Sequence, residues 1–195
     1  MKDTVDRHEE ISDLELVDEF KAGKEWAFNE LVRRYSTKVL TLCTYYLKDK
    51  EQAYDVSQEV FIKIYRALER FRGASKLSTW IHTIAINTCK NKLSFWKRLT
   101  TWKKKYDEDP LVQRPANGPE DEVFRNERQQ IVRREIAALP EIHRAIILLK
   151  DIQGCSYEEI GRILDITPGT VKSRLHRARD ALAKRLEAVL GEDVW

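Results

Sequence analysis

Residues 156–182 contain two consecutive helix-start signals, and this feature restricts the possible folds of the chain more than any other. Ser156 followed three residues later by Glu159 forms a capping box, in which each side chain accepts a backbone N–H at the helix start. Thr167 is a second N-cap, and Pro168 occupies the first helical position, where its missing N–H is not needed. Only a short turn separates the two predicted helices. The segment therefore predicts a helix-turn-helix.

The second helix of this pair, predicted over 168–189, has one apolar face and one basic face. The apolar stripe consists of Val171, Leu175, Ala178 and Leu182. The opposite side carries polar and basic side chains, namely Thr170, Lys172, Ser173, Arg174, His176, Arg177 and Arg179. A helix of this kind suits insertion into the major groove of DNA, and a helical hairpin inside a bundle is the alternative. Asp165 stands in the turn where many such motifs have glycine, and aspartate tolerates a left-handed conformation.

Glycine and proline are scarce along the whole chain. There are 7 glycines and 5 prolines in 195 residues, about half of the usual combined share. This is too few turn-forming residues for a sandwich or barrel of many short strands, and no segment alternates with a period of two for long enough to predict a strand. We therefore expect an all-α protein.

Several other classes are excluded by what the sequence lacks. The longest aliphatic run, 145–149, is far shorter than the ~20 apolar residues that span a membrane, so no membrane insertion is expected. Simple phosphate-binding glycine motifs are absent, and the four histidines have no ligand partner at metal-binding spacing, so neither a metal nor a cofactor is expected. Three distant cysteines, Cys43, Cys89 and Cys155, suit buried thiols in a reducing cytoplasm.

Charge is strongly segregated along the chain. Residues 1–30 carry a net charge of −6, whereas 72–105 carry nine bases and no acid. Residues 107–127 return to −5, and 170–185 reach +5. Two basic blocks separated by an acidic one indicate two distinct surfaces that bind a polyanion. The alternative is that the charged blocks are ordinary helix faces exposed to solvent.

The prolines divide the chain into two parts. Residues 107–119 hold three of the five prolines and no helical period, which predicts a flexible linker. We therefore expect two small helical domains, over 1–106 and 120–195. The pattern predicts helices over about 12–23, 25–47, 51–71, 78 to beyond 93, 120–139, 141–151, 157–164 and 168–189.

The helix that begins near Ser78 carries an unusual polar stripe. Its members fall at helical spacing on one face and are Trp80, Thr83, Asn87, Asn91 and Ser94. Basic residues flank the stripe, among them Lys90 and Lys92. Aromatic stacking, amide contacts and phosphate neutralisation are how proteins hold single-stranded DNA. The preceding loop, 71–75, is small enough to accept an extruded base. The alternative is that Trp80 packs in the core and the asparagines are merely exposed.

Two long segments, 55–93 and 139–182, resemble bacterial RNA polymerase sigma factors of the extracytoplasmic-function class, which keep only regions two and four. The resemblance covers the chain from about residue 12. It implies a non-catalytic initiation factor in the cytoplasm that binds core RNA polymerase and promoter DNA. It also implies contacts with the β′ clamp helices and the β subunit, and an anti-sigma partner is typical of the class. The rivals are a repressor or activator with a sensor domain over 12–106, and a helical interaction protein without DNA contact.

The resemblance also implies roles for individual residues. The segment DVSQE resembles the sigma helix that docks on the polymerase β′ subunit, which assigns polymerase binding to Asp55, Gln58 and Glu59. The loop FRGAS and the helix after it resemble the part that captures and melts the minus-ten element, which assigns Phe71, Arg72, Ser75, Trp80, Asn87, Lys90 and Asn91. The helix after the turn resembles the reader of duplex minus-thirty-five DNA, which assigns Thr170, Lys172, Ser173, Arg174, His176 and Arg177.

Overall fold

A computed structural model describes residues 11–47, 49–106 and 127–191, and within these ranges all regular structure is helical. The prediction of an all-α fold is thereby confirmed. The helices are α1 Asp13–Lys21, α2 Glu25–Tyr46, α3 Lys50–Leu68, α4 Leu77–Tyr106, α5 Glu127–Ala138, α6 Glu141–Ile147, α7 Tyr157–Leu164 and α8 Pro168–Leu190. A π-helical segment, Leu148–Ile152, continues directly from α6. The predicted linker and the first residues of the predicted helix over 120–139 lie outside the described part of the chain.

Helix boundaries follow the capping signals closely. Ser12 and Glu15 form a complete capping box at the start of α1, and Ser156 and Glu159 do the same at the start of α7. Asp49, which the sequence analysis did not identify, caps α3 by accepting the N–H of Gln52 at 3.0 Å. The third helix ends at Leu68 and not at 71, because the chain turns away there into the loop that precedes α4.

The N-terminal half, residues 11–106, is built around α2. Helices α1, α3 and α4 all pack against α2 or against each other, and its inward positions include the buried Leu31, Val39 and Leu42. A polar network fixes α1 to α2, since the Tyr35 hydroxyl donates to Asp13 and the Arg34 guanidinium lies 3.2 Å from the same carboxylate. The long α4 is therefore held on its inner side and leaves its outer side to solvent.

The C-terminal half, residues 127–191, packs α5, α6 and α7 against α8. The predicted helix over 141–151 is only partly α-helical. From Leu148 to Ile152 the backbone forms a π-helix, and the Cys155 N–H then donates to the Leu149 carbonyl at 2.9 Å. A π-helical turn contains one residue more than an α-helical turn, and hydrophobic periodicity alone does not reveal such a short insertion.

The two halves meet along an interface that we call the interdomain seam, formed by α2, Lys76 and α4 on one side and residues 133–159 on the other. Arg144 is 8% exposed, and its guanidinium donates to the Tyr46 carbonyl at 2.6 Å and to the Leu139 carbonyl at 3.0 Å. The buried apolar residues of both halves form one continuous cluster. The sequence predicts the halves as separate units and carries no local signal for this contact.

Side-chain contacts extend along the rest of the seam. The Lys76 ammonium lies 3.0 Å from the Glu159 carboxylate, and the Gln153 amide donates to the Lys38 carbonyl at 3.2 Å. Two further contacts cross the seam. The Cys155 thiol lies 3.5 Å from the His82 Nδ1 atom, and the Arg133 guanidinium lies over the Tyr45 ring. Each of the contacts named joins residues far apart in the chain, so local sequence patterns carry no direct signal for them.

Candidate nucleic-acid interface

A very tight turn joins the two helices of the helix-turn-helix. Asp165 closes α7 in the left-handed conformation at φ 54° and ψ 53°, as its tolerance for this region suggested. The Ile166 N–H donates to the Gly161 carbonyl at 3.0 Å. A Cβ at position 161 would lie 2.7 Å from the Ile166 carbonyl oxygen, so only glycine fits there without a shift of the backbone. Thr167 then caps α8, accepting the Thr170 N–H at 3.2 Å.

Helix α8 presents the basic face that its sequence predicts, and we call it the recognition helix. Val171, Leu175 and Ala178 are buried against the rest of the C-terminal half. Lys172, Ser173, His176 and Arg177 are exposed, and Thr170 and Arg174 are half-buried. The Thr170 hydroxyl is engaged with the Thr167 hydroxyl at 2.9 Å.

Two ion pairs stand beside the exposed face of the recognition helix. The His176 ring lies 3.5 Å from the Asp180 carboxylate, one helical turn further along. The Arg179 guanidinium binds Asp151 in the π-helical segment, and its Nε and Nη2 atoms donate to the two carboxylate oxygens. Arg179 therefore ties the recognition helix to the segment that precedes α7.

The outer side of α4 carries the predicted stripe, which we call the strand-reading face: Trp80, Thr83, Asn87, Asn91 and Ser94. Asn87, Asn91 and Ser94 are exposed, and Trp80 and Thr83 are half-buried. The Thr83 hydroxyl donates to the Thr79 carbonyl of its own helix at 2.9 Å. Lys90 is half-buried beside the asparagines. The structure therefore brings together a half-buried indole, two exposed amides and a lysine on one side of one helix.

The loop before α4 is held by its aromatic residue. Phe71 is 6% exposed and packs on Trp80 with ring centroids 5.2 Å apart, so its side chain supports the loop from below and does not point to solvent. The Lys21 ammonium donates to the Phe71 carbonyl at 2.8 Å. Arg72 is exposed and Ser75 half-buried. Of the predicted loop residues, Phe71 thus lies in a supporting position, whereas Arg72 lies on the surface.

The outer side of α3 carries the residues assigned to polymerase binding, and we call it the docking face: Asp55, Gln58 and Glu59. Asp55 and Gln58 are exposed. The Glu59 carboxylate lies 2.8 Å from the Lys63 ammonium and 3.7 Å from that of Lys92 on α4. The hydrogen bond from Lys63 is the main cause that lowers the pKa of Glu59. Glu59 therefore remains ionised and also braces α3 against α4.

Exposed apolar side chains adjoin the docking face, and they are not among the residues that the sequence predicted for it. Tyr54 and Ile62 are 57% and 51% exposed. Tyr65 is 45% exposed although its ring contacts both Phe20 and Phe28 edge-on. Their spacing of eight and three residues along α3 was the available signal, because at 100° per residue it places all three side chains on one side of the helix. A partly apolar, partly acidic surface of this kind is typical of a protein contact.

No group of three or more potential metal ligands occurs in the part of the chain that the structure describes. Among the same residues, no helix is long and apolar enough to cross a bilayer. All three cysteines are free and buried, which confirms the interpretation of their thiols.

Two family profiles match this chain, each over one of the two halves. The Sigma-70 region 2 profile matches residues 31–98, which include the docking face and the strand-reading face. The profile of Sigma-70, region 4 matches residues 129–182, which include the helix-turn-helix. A region 2 followed by a region 4 defines the class of RNA polymerase sigma factors.

Full-length relatives narrow the class further. The RNA polymerase sigma-H factor of Pseudomonas aeruginosa is 38% identical over 186 residues, covering 92% of this chain and 96% of the relative. The ECF RNA polymerase sigma-E factor of Escherichia coli K12 is 39% identical over 188 residues, covering 93% and 98%. The chain belongs to the extracytoplasmic-function (ECF) family of RNA polymerase sigma factors. It is accordingly a non-catalytic factor that directs transcription initiation at promoters, and the rival interpretations as a sensor-type regulator or an interaction protein are wrong.

The fold is also shared with solved structures. The sigma factor RpoE of Bartonella quintana, solved in complex with the anti-sigma factor NepR, superposes with a TM-score of 0.66 at 22% identity, covering 82% of this chain and 96% of that one. CnrH, solved with the cytosolic domain of CnrY, gives 0.65 at 22% identity over 89% and 96%. At this level of identity the likeness establishes the fold alone.

Proposed function

We propose that this sigma factor divides promoter recognition between its two basic surfaces: the recognition helix reads duplex minus-thirty-five DNA, and the strand-reading face captures the opened minus-ten strand. The observation that carries the proposal is the pairing of an indole with two exposed amides on α4, beside a block of nine bases without an acid. A surface that binds only duplex needs phosphate contacts and groove-reading side chains, whereas stacking groups are useful on unpaired bases.

On the minus-thirty-five element, the recognition helix both positions the protein on the DNA and distinguishes between base sequences. Contacts to phosphates fix register without reading sequence, and a few side chains on base edges supply specificity. The exposed Lys172, Ser173, His176 and Arg177 lie where they reach the groove first. Thr170 is placed to contribute through the helix N-terminus, since its hydroxyl is already bonded to Thr167.

On the minus-ten element, the proposal requires that binding favour the unpaired strand. Extrusion of one base from the duplex costs a few kcal/mol. Stacking of a base on an aromatic side chain stabilises the complex by about 1–3 kcal/mol and can offset that cost. Trp80 supplies the stacking group, with Phe71 beneath it holding the indole in place. In this proposal Asn87 and Asn91 contact the edges of unpaired bases. Arg72, Ser75 and Lys90 contact the DNA backbone and the extruded base.

The docking face binds the β′ clamp helices of the polymerase in this proposal. Asp55 and Gln58 are exposed and free to make polar contacts, and the neighbouring Tyr54 and Ile62 supply apolar area at the centre of such an interface. We further place the chain in the cytoplasm, where its polymerase acts, and expect an anti-sigma partner. A solved sigma factor with the same fold, RpoE of Bartonella quintana, is in complex with the anti-sigma factor NepR, which supports this expectation.

Run-off transcription tests the proposal most directly. Core polymerase with and without this chain is assayed on a promoter library, and on a matched template whose minus-ten segment is mismatched and therefore already open. We expect initiation only when the chain is present, and tighter binding to the open template than to its duplex counterpart. Failure to bind core enzyme, together with equal affinity for open and duplex templates, would overturn it.

A further inference from the structure

The loop before α4 is held from α1, a helix to which no part in promoter recognition is assigned. The Lys21 ammonium donates to the Phe71 carbonyl at 2.8 Å, across 50 positions of the chain. Phe71 begins the loop 71–75, which in the proposed function captures the extruded minus-ten base. A side chain of α1 therefore holds the backbone of a loop that is expected to contact DNA.

Helix α1 is a firm support for this ammonium. Its first turn is tied to α2, because Asp13 accepts a hydrogen bond from the Tyr35 hydroxyl. Its last turn is tied to α2 and α3, because the Phe20 ring centroid lies 5.8 Å from that of Phe28 and 5.2 Å from that of Tyr65. The backbone of the next residue, which carries the ammonium, is therefore held by contacts with two neighbouring helices.

The hydrogen bond also suits the electrostatics of the two helix ends that it joins. Lys21 lies in the last turn of α1, and the Phe71 carbonyl follows shortly after the end of α3 at Leu68. Helix C-termini carry a partial negative charge, so a cation is stabilised beside both ends. A charged donor also makes a stronger hydrogen bond than a neutral one. The contact is therefore favourable enough to fix the loop at this point.

The exposed part of the loop rests on Phe71. This residue is fixed through its N–H, which donates to the Leu68 carbonyl at 3.0 Å, through its own carbonyl, and through its ring, which packs on Trp80. The next three residues are exposed, and Gly73 among them has a left-handed φ of 71°. Helix α1 also borders this part, since a Cβ at Gly73 would lie 4.0 Å from the Leu14 side chain. The direction in which the loop leaves the fold therefore depends on Phe71 and on its anchor in α1.

The rival role for the same ammonium is a contact with a DNA phosphate, because Lys21 is an exposed residue. The charge of α1 disfavours this role. The helix reads DLELVDEFK, with four acidic residues and Lys21 as its single base. A helix of net negative charge repels a polyanion. The backbone of the loop is therefore the better-supported partner of this lysine.

We propose that Lys21 is a positioning residue for minus-ten capture: by holding the Phe71 carbonyl, it keeps the loop 71–75 in the shape that receives the extruded base. This inference deepens the proposed function and rests on it, since it assumes that the loop takes a base of the opened strand. A loop that is ordered in advance loses less freedom on binding, which raises affinity without any additional contact with DNA. Lys21 therefore acts on the entry of the unpaired base and not on the binding of duplex.

Three variants of the full chain test this role. Lys21→Met keeps the apolar part of the side chain but removes the donor, and Lys21→Arg restores a cationic donor. Lys24→Met is the matched control, because it removes the same charge three residues away, from a lysine that pairs with Glu19. Each variant is assembled with core polymerase. Its affinity is measured for a promoter duplex and for the same promoter with an unpaired minus-ten segment, at several salt concentrations.

We expect Lys21→Met to bind the open template about tenfold more weakly, as for one lost charged hydrogen bond, and to bind the duplex normally. Among templates that vary one minus-ten base at a time, its preference should flatten only at the extruded base, and Lys21→Arg should restore that preference. Unchanged affinity and preference would overturn the proposal. A uniform loss over all sequences with a shallower salt dependence would also overturn it, because that result identifies a phosphate contact.

Hydrogen exchange of the free chain gives a second measurement that involves no DNA. The backbone amides of the loop 71–75 should exchange about tenfold faster in Lys21→Met than in wild type, because the loop opens more readily without its anchor. Lys24→Met should match wild type. The two proposals fail separately. Equal binding of open and duplex templates by the wild type overturns the proposed function, whereas equal loop exchange in Lys21→Met and wild type overturns the role of Lys21.

Discussion

The α-carbon of Gly161 faces the carbonyl oxygen of Ile166 so closely that any Cβ at position 161 would lie 2.7 Å from that oxygen. The obstacle is backbone, which cannot rotate away as a side-chain end can. We expect Gly161→Ala to destabilise the C-terminal half by about 1–3 kcal/mol, the usual cost of overpacking. Thermal unfolding followed by circular dichroism measures this, and binding to a minus-thirty-five duplex should weaken in parallel.

Gly169, in the first turn of α8, provides the matched control. A Cβ there meets nothing within 4 Å, and alanine is the better helix former. Gly169→Ala should therefore leave stability unchanged or raise it by up to about 1 kcal/mol. Equal destabilisation by both variants would show that the Gly161 contact does not determine the turn.

Arg177 is exposed on the recognition helix, and its guanidinium is free to make two hydrogen bonds to a base edge. We expect Arg177→Ala to cost about 1–3 kcal/mol of binding on duplex minus-thirty-five DNA and to relax specificity at one position. Lys184→Ala, further along the same helix, is the control and should weaken binding of all sequences slightly. Unchanged promoter affinity and transcription for Arg177→Ala would remove this residue from the reading set.

Asn87 stands exposed in the middle of the strand-reading face. We expect Asn87→Ala to bind duplex DNA normally but to impair opening, because the proposed function gives this amide contacts to unpaired bases only. Permanganate reactivity of the minus-ten thymines measures opening, and a pre-opened template should rescue transcription. Asn29→Ala, an exposed asparagine on α2, should open promoters normally. Normal opening by Asn87→Ala would contradict the assignment.

A test of the docking face needs two charge-reversal variants, because the Glu59 carboxylate is already paired with Lys63 and Lys92. Glu59→Lys places a cation beside Lys63 and Lys92, so a loss of polymerase binding could reflect a weakened contact between α3 and α4. Asp55 is exposed on the same helix, and its reversal disturbs the fold less. Both Asp55→Lys and Glu59→Lys should lose at least tenfold in a pull-down with core polymerase. Full retention by Asp55→Lys would exclude this face.

His82 should make stability depend on pH. Burial, helped by the charge of Lys38, lowers the pKa of His82 from 6.5 to about 4. Between these values the unfolded chain binds a proton that the folded chain does not, so stability falls as pH decreases. From pH 7 to pH 5 we expect a loss of about 2 kcal/mol from this group. Chemical denaturation of wild type and His82→Gln measures it.

In that series, His82→Gln should flatten the stability profile between pH 7 and pH 5. A His82→Gln profile that is as steep as that of wild type would contradict the assignment.

Local signals in the sequence predicted the helices and the recognition unit well. Capping boxes at Ser12 and Ser156 and the proline at the start of α8 each involve residues within four positions, and each is found where expected. The left-handed Asp165 also follows from its side chain's known tolerance. The exposed faces of α4 and α8 follow from helical periodicity, since burial of one side determines the other.

What the sequence could not predict depends on contacts between distant residues. Arg144 bonds to a backbone carbonyl 98 positions away, and a carbonyl has no sequence signature. Phe71 is assigned to minus-ten DNA by the resemblance of its loop, and the contact of its ring with Trp80 was not predicted. Glu159 was identified as a cap, and its second role toward Lys76 appears only when the halves are placed together.

The π-helical segment Leu148–Ile152 determines how the helix-turn-helix is oriented on the rest of the protein. It holds one residue more per turn than an α-helix, and each residue of an α-helix corresponds to a rotation of about 100°. Without that additional residue, the chain beyond it would emerge rotated by about this angle. Gln153 and Cys155 would then no longer point at Lys38 and His82. The orientation of the helix-turn-helix relative to the N-terminal half therefore depends on one extra residue in the backbone.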